Sequence, residues 1–135
     1  MAGYSPAPLW KKLGYKDGVV AYLHDAPASY MAALALPKEI AVRWAKRAEP
    51  GLAFVHAFVR EHAQLVSLLP AYRSLIAPDG TIWISWPKQA ARVPTDIDEN
   101  RVRDAALPLG LVDIKVCAVD ATWSGLKLVI RKELR

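Results

Sequence analysis

Residues 52–86 read LAFVHAFVREHAQLVSLLPAYRSLIAPDGTIWISW, and the change of period inside this stretch decides the fold. Leu52 to Val59 is a continuous apolar run of strand length, the mark of a strand covered on both faces. From Glu61 to Ile76 the positions Leu65, Leu68, Leu69, Tyr72, Leu75 and Ile76 fall at helical spacing, which predicts an amphipathic helix with a broad apolar stripe. Pro70 lies inside it and should kink it or start its second half. Pro78-Asp79-Gly80 is turn chemistry, and Thr81 to Trp86 is a further strand. A strand, a helix and a strand in succession imply parallel pairing.

The same alternation extends outward in both directions. Upstream, Val19 to Leu23 is a first apolar strand ending in His24-Asp25-Ala26-Pro27, where Asp25 is placed to cap a short helix over about residues 28–36, stopped by Pro37. Ile40 to Trp44 reads as the second strand, so Leu52 to Val59 is the third and Thr81 to Trp86 the fourth. Ala45 to Gly51 is only about seven residues, whereas a parallel crossover usually takes a dozen or more. Either an extended loop makes that crossing or the second strand lies elsewhere. Downstream, Thr95 with Asp98 resembles a capping box for a helix to about Leu107, and Gly110 suits a left-handed stop. Leu111 to Val119 is the fifth strand, Asp120 to Gly125 a hairpin loop, and Leu126 to Arg131 the sixth strand, antiparallel to the fifth.

At 135 residues the chain has the size of a single α/β domain, with residues 1–17 as an N-terminal arm: extended from Tyr4 to Pro8, then a helical turn over Trp10 to Leu13. One cysteine, Cys117, makes no internal disulfide framework. The opening MAGYSPAPLWKK has no apolar leader segment, and no apolar run approaches the roughly 20 residues that span a bilayer. The cytoplasm is the expected location. Eighteen Lys and Arg against thirteen Asp and Glu leave a net charge of +5, gathered in short clusters such as Lys11, Lys12 and Lys16. Such a balance favours small anionic partners over nucleic acid, since no long basic run or tail is present.

The junction Leu75-Ile76-Ala77-Pro78-Asp79-Gly80-Thr81-Ile82-Trp83-Ile84 resembles the helix-to-strand passage of class I methyltransferases. The tail, a helix ending at Leu109-Gly110-Leu111-Val112 before an antiparallel strand pair, is similar to theirs as well. The resemblance implies a three-layer, mostly parallel Rossmann-like sheet of order 2-1-3-4-6-5, with the last strand inserted antiparallel. A second resemblance spans the chain and joins it to a small bacterial family with no known activity. It rests on MAGYS at residues 1–5, Pro8-Leu9-Trp10-Lys11-Lys12-Leu13-Gly14, Ser85-Trp86-Pro87-Lys88, Val116-Cys117-Ala118-Val119-Asp120 and Trp123 to Arg131.

Two features of the methyltransferase fold grip S-adenosylmethionine (SAM). The first is a glycine-rich turn after strand one; here that turn is His24-Asp25-Ala26-Pro27, with no glycine. The second is a carboxylate ending strand two, where this chain carries Arg43, Lys46 and Arg47, with Glu49 only further along. No cofactor is therefore expected. In open α/β sheets ligands bind beyond the carboxyl ends of the strands, where the strand order switches. The residues expected on that rim are His24 and Asp25, Arg60 and Glu61, then Ser85, Trp86 and Lys88, with Asp120, Trp123 and Ser124 from the hairpin loop. Each also has a plainer role: Asp25 as a helix cap, Trp86 as cover for the sheet, Trp123 as hairpin chemistry. His56 reads as a core histidine with one satisfied nitrogen, His62 as solvated and Cys117 as an inert buried thiol; these spacings hold no metal.

The expectation from sequence is a degenerate, non-catalytic methyltransferase-like domain that binds a small anionic ligand or a protein partner. The alternatives are an enzyme using another ligand in the same crevice, with His24 and Asp25 or Lys88 as acid and base, and weak nucleic-acid association.

Overall fold

The apolar runs of the sequence pair as six strands, and the computed structural model describes them within residues 7–135. The MAGYS motif at residues 1–5 and the first residues of the extended arm, including Tyr4, lie outside the described part. The elements in chain order are α1 (Leu9–Leu13), β1 (Val20–His24), α2 (Tyr30–Leu34), β2 (Arg43–Trp44), β3 (Leu52–Phe58), α3 (His62–Leu75), β4 (Ile76–Pro87), α4 (Glu99–Ala106), β5 (Leu111–Ala118) and β6 (Trp123–Ile130). The sheet order is β2-β1-β3-β4-β6-β5. The first four strands are mutually parallel, and β6 runs antiparallel between β4 and β5. This is the Rossmann-like arrangement the sequence implied.

Apolar side chains cover both faces of the sheet. Leu65, Leu69 and Tyr72 of α3 and Val102 of α4 pack on one face, against Val55, Ile82, Ile84 and Leu128. Leu9 and Leu13 of α1 and Tyr30 and Leu34 of α2 pack on the other, against Ala21, Phe54, Phe58 and Trp83. The described end of the arm is thus part of a layer, anchored where the Trp83 indole N–H donates to the Leu13 carbonyl at 2.8 Å.

The short link between the second and third strands has a geometric explanation. The second strand keeps only Arg43 and Trp44, and Trp44 pairs with Ala21, which also pairs with Phe54. Trp44 is therefore level with a residue two positions into β3. The chain must return only about 7 Å along the strands and cross about 10 Å between them, well within the reach of seven residues. The extended loop, not a misplaced strand, makes the crossing.

Further boundaries differ from the sequence reading. Asp25 caps no helix: α2 begins at Tyr30, after Ser29. The α4 cap is Asp98 rather than Thr95, its carboxylate accepting from the Arg101 N–H at 2.9 Å. Thr95 instead donates to the Arg60 carbonyl at 2.6 Å. Pro78-Asp79-Gly80 is no free turn but a bulge within β4, because the β3 register jumps from Leu52↔Ile76 to Phe54↔Thr81. Trp123 to Gly125 belong to β6, which shortens the hairpin loop to 119–122. Pro70 sits inside an α3 that runs through it.

Candidate functional site

A crevice at the carboxyl ends of β1 and β3 follows from the direction in which each chain leaves the sheet. β1 feeds α2 on one face and β3 feeds α3 on the other, so two neighbouring strands part at their tips. At the end of β1 the chain turns through Asp25 with φ of 53°, a left-handed conformation that Asp tolerates better than most residues. Asp25 thus makes a backbone turn for which glycine is the usual residue. Its Oδ2 lies 3.3 Å from His24 Nε2, with the imidazole mostly covered and the carboxylate well exposed. Across the crevice, the Gln64 amide on α3 approaches the same His24 nitrogen at 3.2 Å.

The cleft itself has a volume of about 270 Å³ and is lined by Asp25, Phe58, Arg60, Glu61, Gln64 and Trp123. Trp123 is 8% exposed. Its ring stands edge-on to Phe58, with centroids 5.1 Å apart, and carries the Arg60 guanidinium 5.8 Å above it. Among the described residues, Arg60 forms none of the ion pairs. Its backbone is held from behind: the Arg60 carbonyl accepts from Thr95 Oγ1 at 2.6 Å and from the Asp96 N–H at 3.3 Å. The Asp96 carboxylate in turn accepts from the first N–H of α3, at His62. The arrangement presents an exposed guanidinium over an indole floor, with two carboxylates on the surrounding walls.

The structure brings His24, Asp25, Arg60, Glu61 and Trp123 to this rim and takes Ser85, Trp86, Lys88 and Asp120 into other roles. Ser85 is fully buried, on the face opposite the one Trp86 occupies. Trp86 is 7% exposed and packs into the α3/α4 core, because alternation along β4 turns successive side chains to opposite faces. Asp120 is engaged at the hairpin, its Oδ1 accepting from the N–H groups of Thr122 and Trp123 at 2.8 Å each. Lys88 donates its backbone N–H to the Thr122 carbonyl. The position after β4 therefore ties strand to hairpin. Phe58 and Gln64 line the cleft without having been singled out from the sequence. The signal was their place around Arg60 at a strand-to-helix junction.

Beneath the rim runs a buried hydrogen-bonded chain. Tyr15 Oη lies 2.7 Å from Tyr30 Oη, Tyr30 Oη lies 2.8 Å from His56 Nδ1, and His56 Nε2 lies 2.7 Å from Ser85 Oγ. Both nitrogens of His56 are satisfied, not one. Burial holds its imidazole neutral, pushing its pKa down to about 3, and raises both phenols above their ordinary range. The Ser–His contact has the components of a nucleophile pair, but both residues are at 0% exposure and no substrate reaches them. The chain cross-links α2, β3, β4 and the segment after α1. Among the described residues, no group of three His, Cys, Asp or Glu side chains forms a metal site, and no helix is long and apolar enough to cross a membrane.

A second, more open groove of about 360 Å³ lies between the ends of β1 and β2, lined by Tyr22, Leu23, Met31, Trp44, Ala45 and Lys46. The nearby carboxylate, Glu49, is held by Arg43 at 2.7 Å.

No protein-family model and no curated protein matches the sequence. Solved structures do match. A ribosomal protein L11 methylase from Lactobacillus delbrueckii subsp. bulgaricus aligns with 91% of this chain and 75% of its own, at 14% identity and a TM-score of 0.55. The magnesium protoporphyrin IX methyltransferase of Synechocystis PCC 6803 with bound SAM aligns over 90% and 74%, at 8% identity and 0.61. Fibrillarin of Aeropyrum pernix with natively bound S-adenosyl-L-methionine aligns over 94% and 70%, at 14% identity and 0.58. At such identities the likeness is one of fold: the architecture is methyltransferase-like.

Proposed function

We propose that this chain is a non-catalytic, methyltransferase-like domain that holds a small anionic ligand in the cleft between β1 and β3. The observation that carries the reading is Arg60, a guanidinium seated over Trp123 and paired with no carboxylate among the described residues. A planar fork held in this way suits a carboxylate or phosphate. Asp25 and Glu61 on the same walls favour a ligand that carries a donor group beside its anion. At about 270 Å³ the cleft lies below the range of about 300–1,000 Å³ for drug-sized ligands, so a compact metabolite fits it better than a nucleoside.

Three features argue against methyl transfer from SAM. The turn after β1 carries an aspartate side chain where backbone would approach the cofactor. The groove at β2 is lined by Lys46, and Glu49 is already held by Arg43. Gln64 reaches across the crevice to His24. A second reading, an enzyme acting on another ligand in the same cleft, draws on the 3.3 Å contact between His24 and Asp25, the geometry of a carboxylate-oriented base. Native mass spectrometry of freshly purified protein tests the first reading, with calorimetry of any ligand found repeated on Arg60→Ala. An unchanged affinity in that variant would remove Arg60 from the site.

A further inference from the structure

Lysine and arginine are used differently in this fold. Among the described residues every ion pair involves an arginine or a histidine, and no lysine lies within 4.0 Å of a carboxylate. Lys11, Lys12, Lys16, Lys115 and Lys127 nonetheless gather on one face, where α1 and the segment after it lie against β5 and β6. Lys115 Nζ donates to the Lys12 carbonyl at 2.8 Å. Lys127 Nζ lies so close to the end of α1 that a Cβ at Gly14 would be 3.2 Å from it. Burial lowers the pKa of Lys127, and the charges of Lys115 and Lys16 lower it further. An open groove of about 390 Å³ between α1 and β5 is lined by Lys11, Lys12, Lys115, Val116 and Cys117. Trp10, partly exposed on the same helix, has Lys11 Nζ 5.9 Å from its ring centroid.

Like charges held together without counter-charges oppose the fold and are relieved when an anion arrives. We propose that this face binds the phosphodiester backbone of single-stranded nucleic acid, with the lysines of α1, β5 and β6 on phosphates and Trp10 as a stacking surface for a base. Several separate point charges along an open groove beside an indole suit such a strand. An acidic peptide would favour bidentate arginine forks, and on the α4 and β6 side those of Arg103 and Arg131 are already engaged by Glu99, Asp113 and Glu133. The proposal is independent of the Arg60 cleft.

The test is fluorescence anisotropy with fluorescein-labelled dT20 and rU20. With about four phosphates neutralised, the slope of log affinity against log salt is about −3, so affinity falls about 50-fold between 50 and 200 mM salt. Lys12→Glu with Lys115→Glu should weaken binding at least about 10-fold. Lys38→Glu with Arg47→Glu, the same change in net charge toward the opposite edge of the sheet, should change it less than about threefold. Should the charge reversal fail to fold by circular dichroism, Lys12→Gln with Lys115→Gln tests the same face and should weaken binding at least threefold. Four outcomes would overturn the proposal: no saturable binding at 50 mM salt, equal losses in the two charge-reversed proteins, no loss in the glutamine variant, or equal affinity for poly-glutamate or phosphatidylserine vesicles.

Discussion

Acidification should destabilise this protein well above the pH at which carboxylates titrate, and the cause is His56. Its imidazole is fully buried with Tyr30 on one nitrogen and Ser85 on the other. Burial lowers its pKa from 6.5 to about 3. The unfolded chain therefore takes up a proton as the pH falls through 6.5, while the folded chain refuses it until about pH 3. Stability is complete above 6.5 and falls below it, at a limiting slope of about 1.4 kcal/mol per pH unit for one proton. Between pH 7 and pH 5 the loss is about 2 kcal/mol, a large part of the 5–15 kcal/mol typical of a domain. Urea denaturation at half-unit pH steps measures it directly. His56→Gln keeps hydrogen-bonding capacity in the chain but cannot titrate, so it should start less stable and show a flat profile over the same interval. If wild type loses less than about 0.5 kcal/mol between pH 7 and 5, or the variant shows the same slope, the neutral buried imidazole is the wrong account.

Other outcomes follow from placement. Trp86→Ala removes a side chain buried in the α3/α4 core and should cost about 3–5 kcal/mol in thermal or chemical denaturation, with no specific effect on cleft binding. Truncation after Ser124 removes Leu126, Leu128 and Ile130 from a strand lying between β4 and β5, so it should abolish soluble, cooperatively folding protein. Calorimetry with SAM should give no dissociation constant below about 100 µM, the equivalent of 5.5 kcal/mol; tighter binding would refute the loss of the cofactor grip. Asp98→Ala, which removes the α4 cap, should lower stability by about 0.5–2 kcal/mol, read from the denaturation midpoint.

Local periodicity carried the architecture. Apolar runs at Val19 to Leu23 and Leu52 to Val59, the helical spacing from Leu65 to Ile76 and the alternation from Leu126 to Ile130 each report which faces of a segment are covered. Covered faces leave few ways to assemble a sheet. The resemblance at Pro78-Asp79-Gly80 supplied the strand order that periodicity leaves open. Boundaries were less legible, since the extent of a strand depends on its partner. β2 shrank to two residues because only Arg43 and Trp44 meet β1, and β4 grew backwards because Ile76 pairs with Leu52 across a bulge.

The candidate site divides the same way. From sequence came the expectation of a rim beyond the strand ends, with His24, Asp25, Arg60 and Glu61 on it beside Ser85, Trp86 and Lys88, because strand order and connection set where neighbouring strands part. Sequence by itself also determined that the turn there carries no glycine and that strand two ends in basic residues. Only the tertiary structure decided what each side chain does. Ser85 and Trp86 are neighbours in sequence, yet one closes a buried hydrogen-bonded chain on His56 and the other fills the opposite core. Trp123, expected on the rim from a hairpin loop, reaches it as the first residue of β6, beneath Arg60. Five lysines from separate segments came to share one face only when α1 settled against β5 and β6. Periodicity reports whether a residue faces in or out, while the identity of its neighbour depends on how segments far apart in the chain come together.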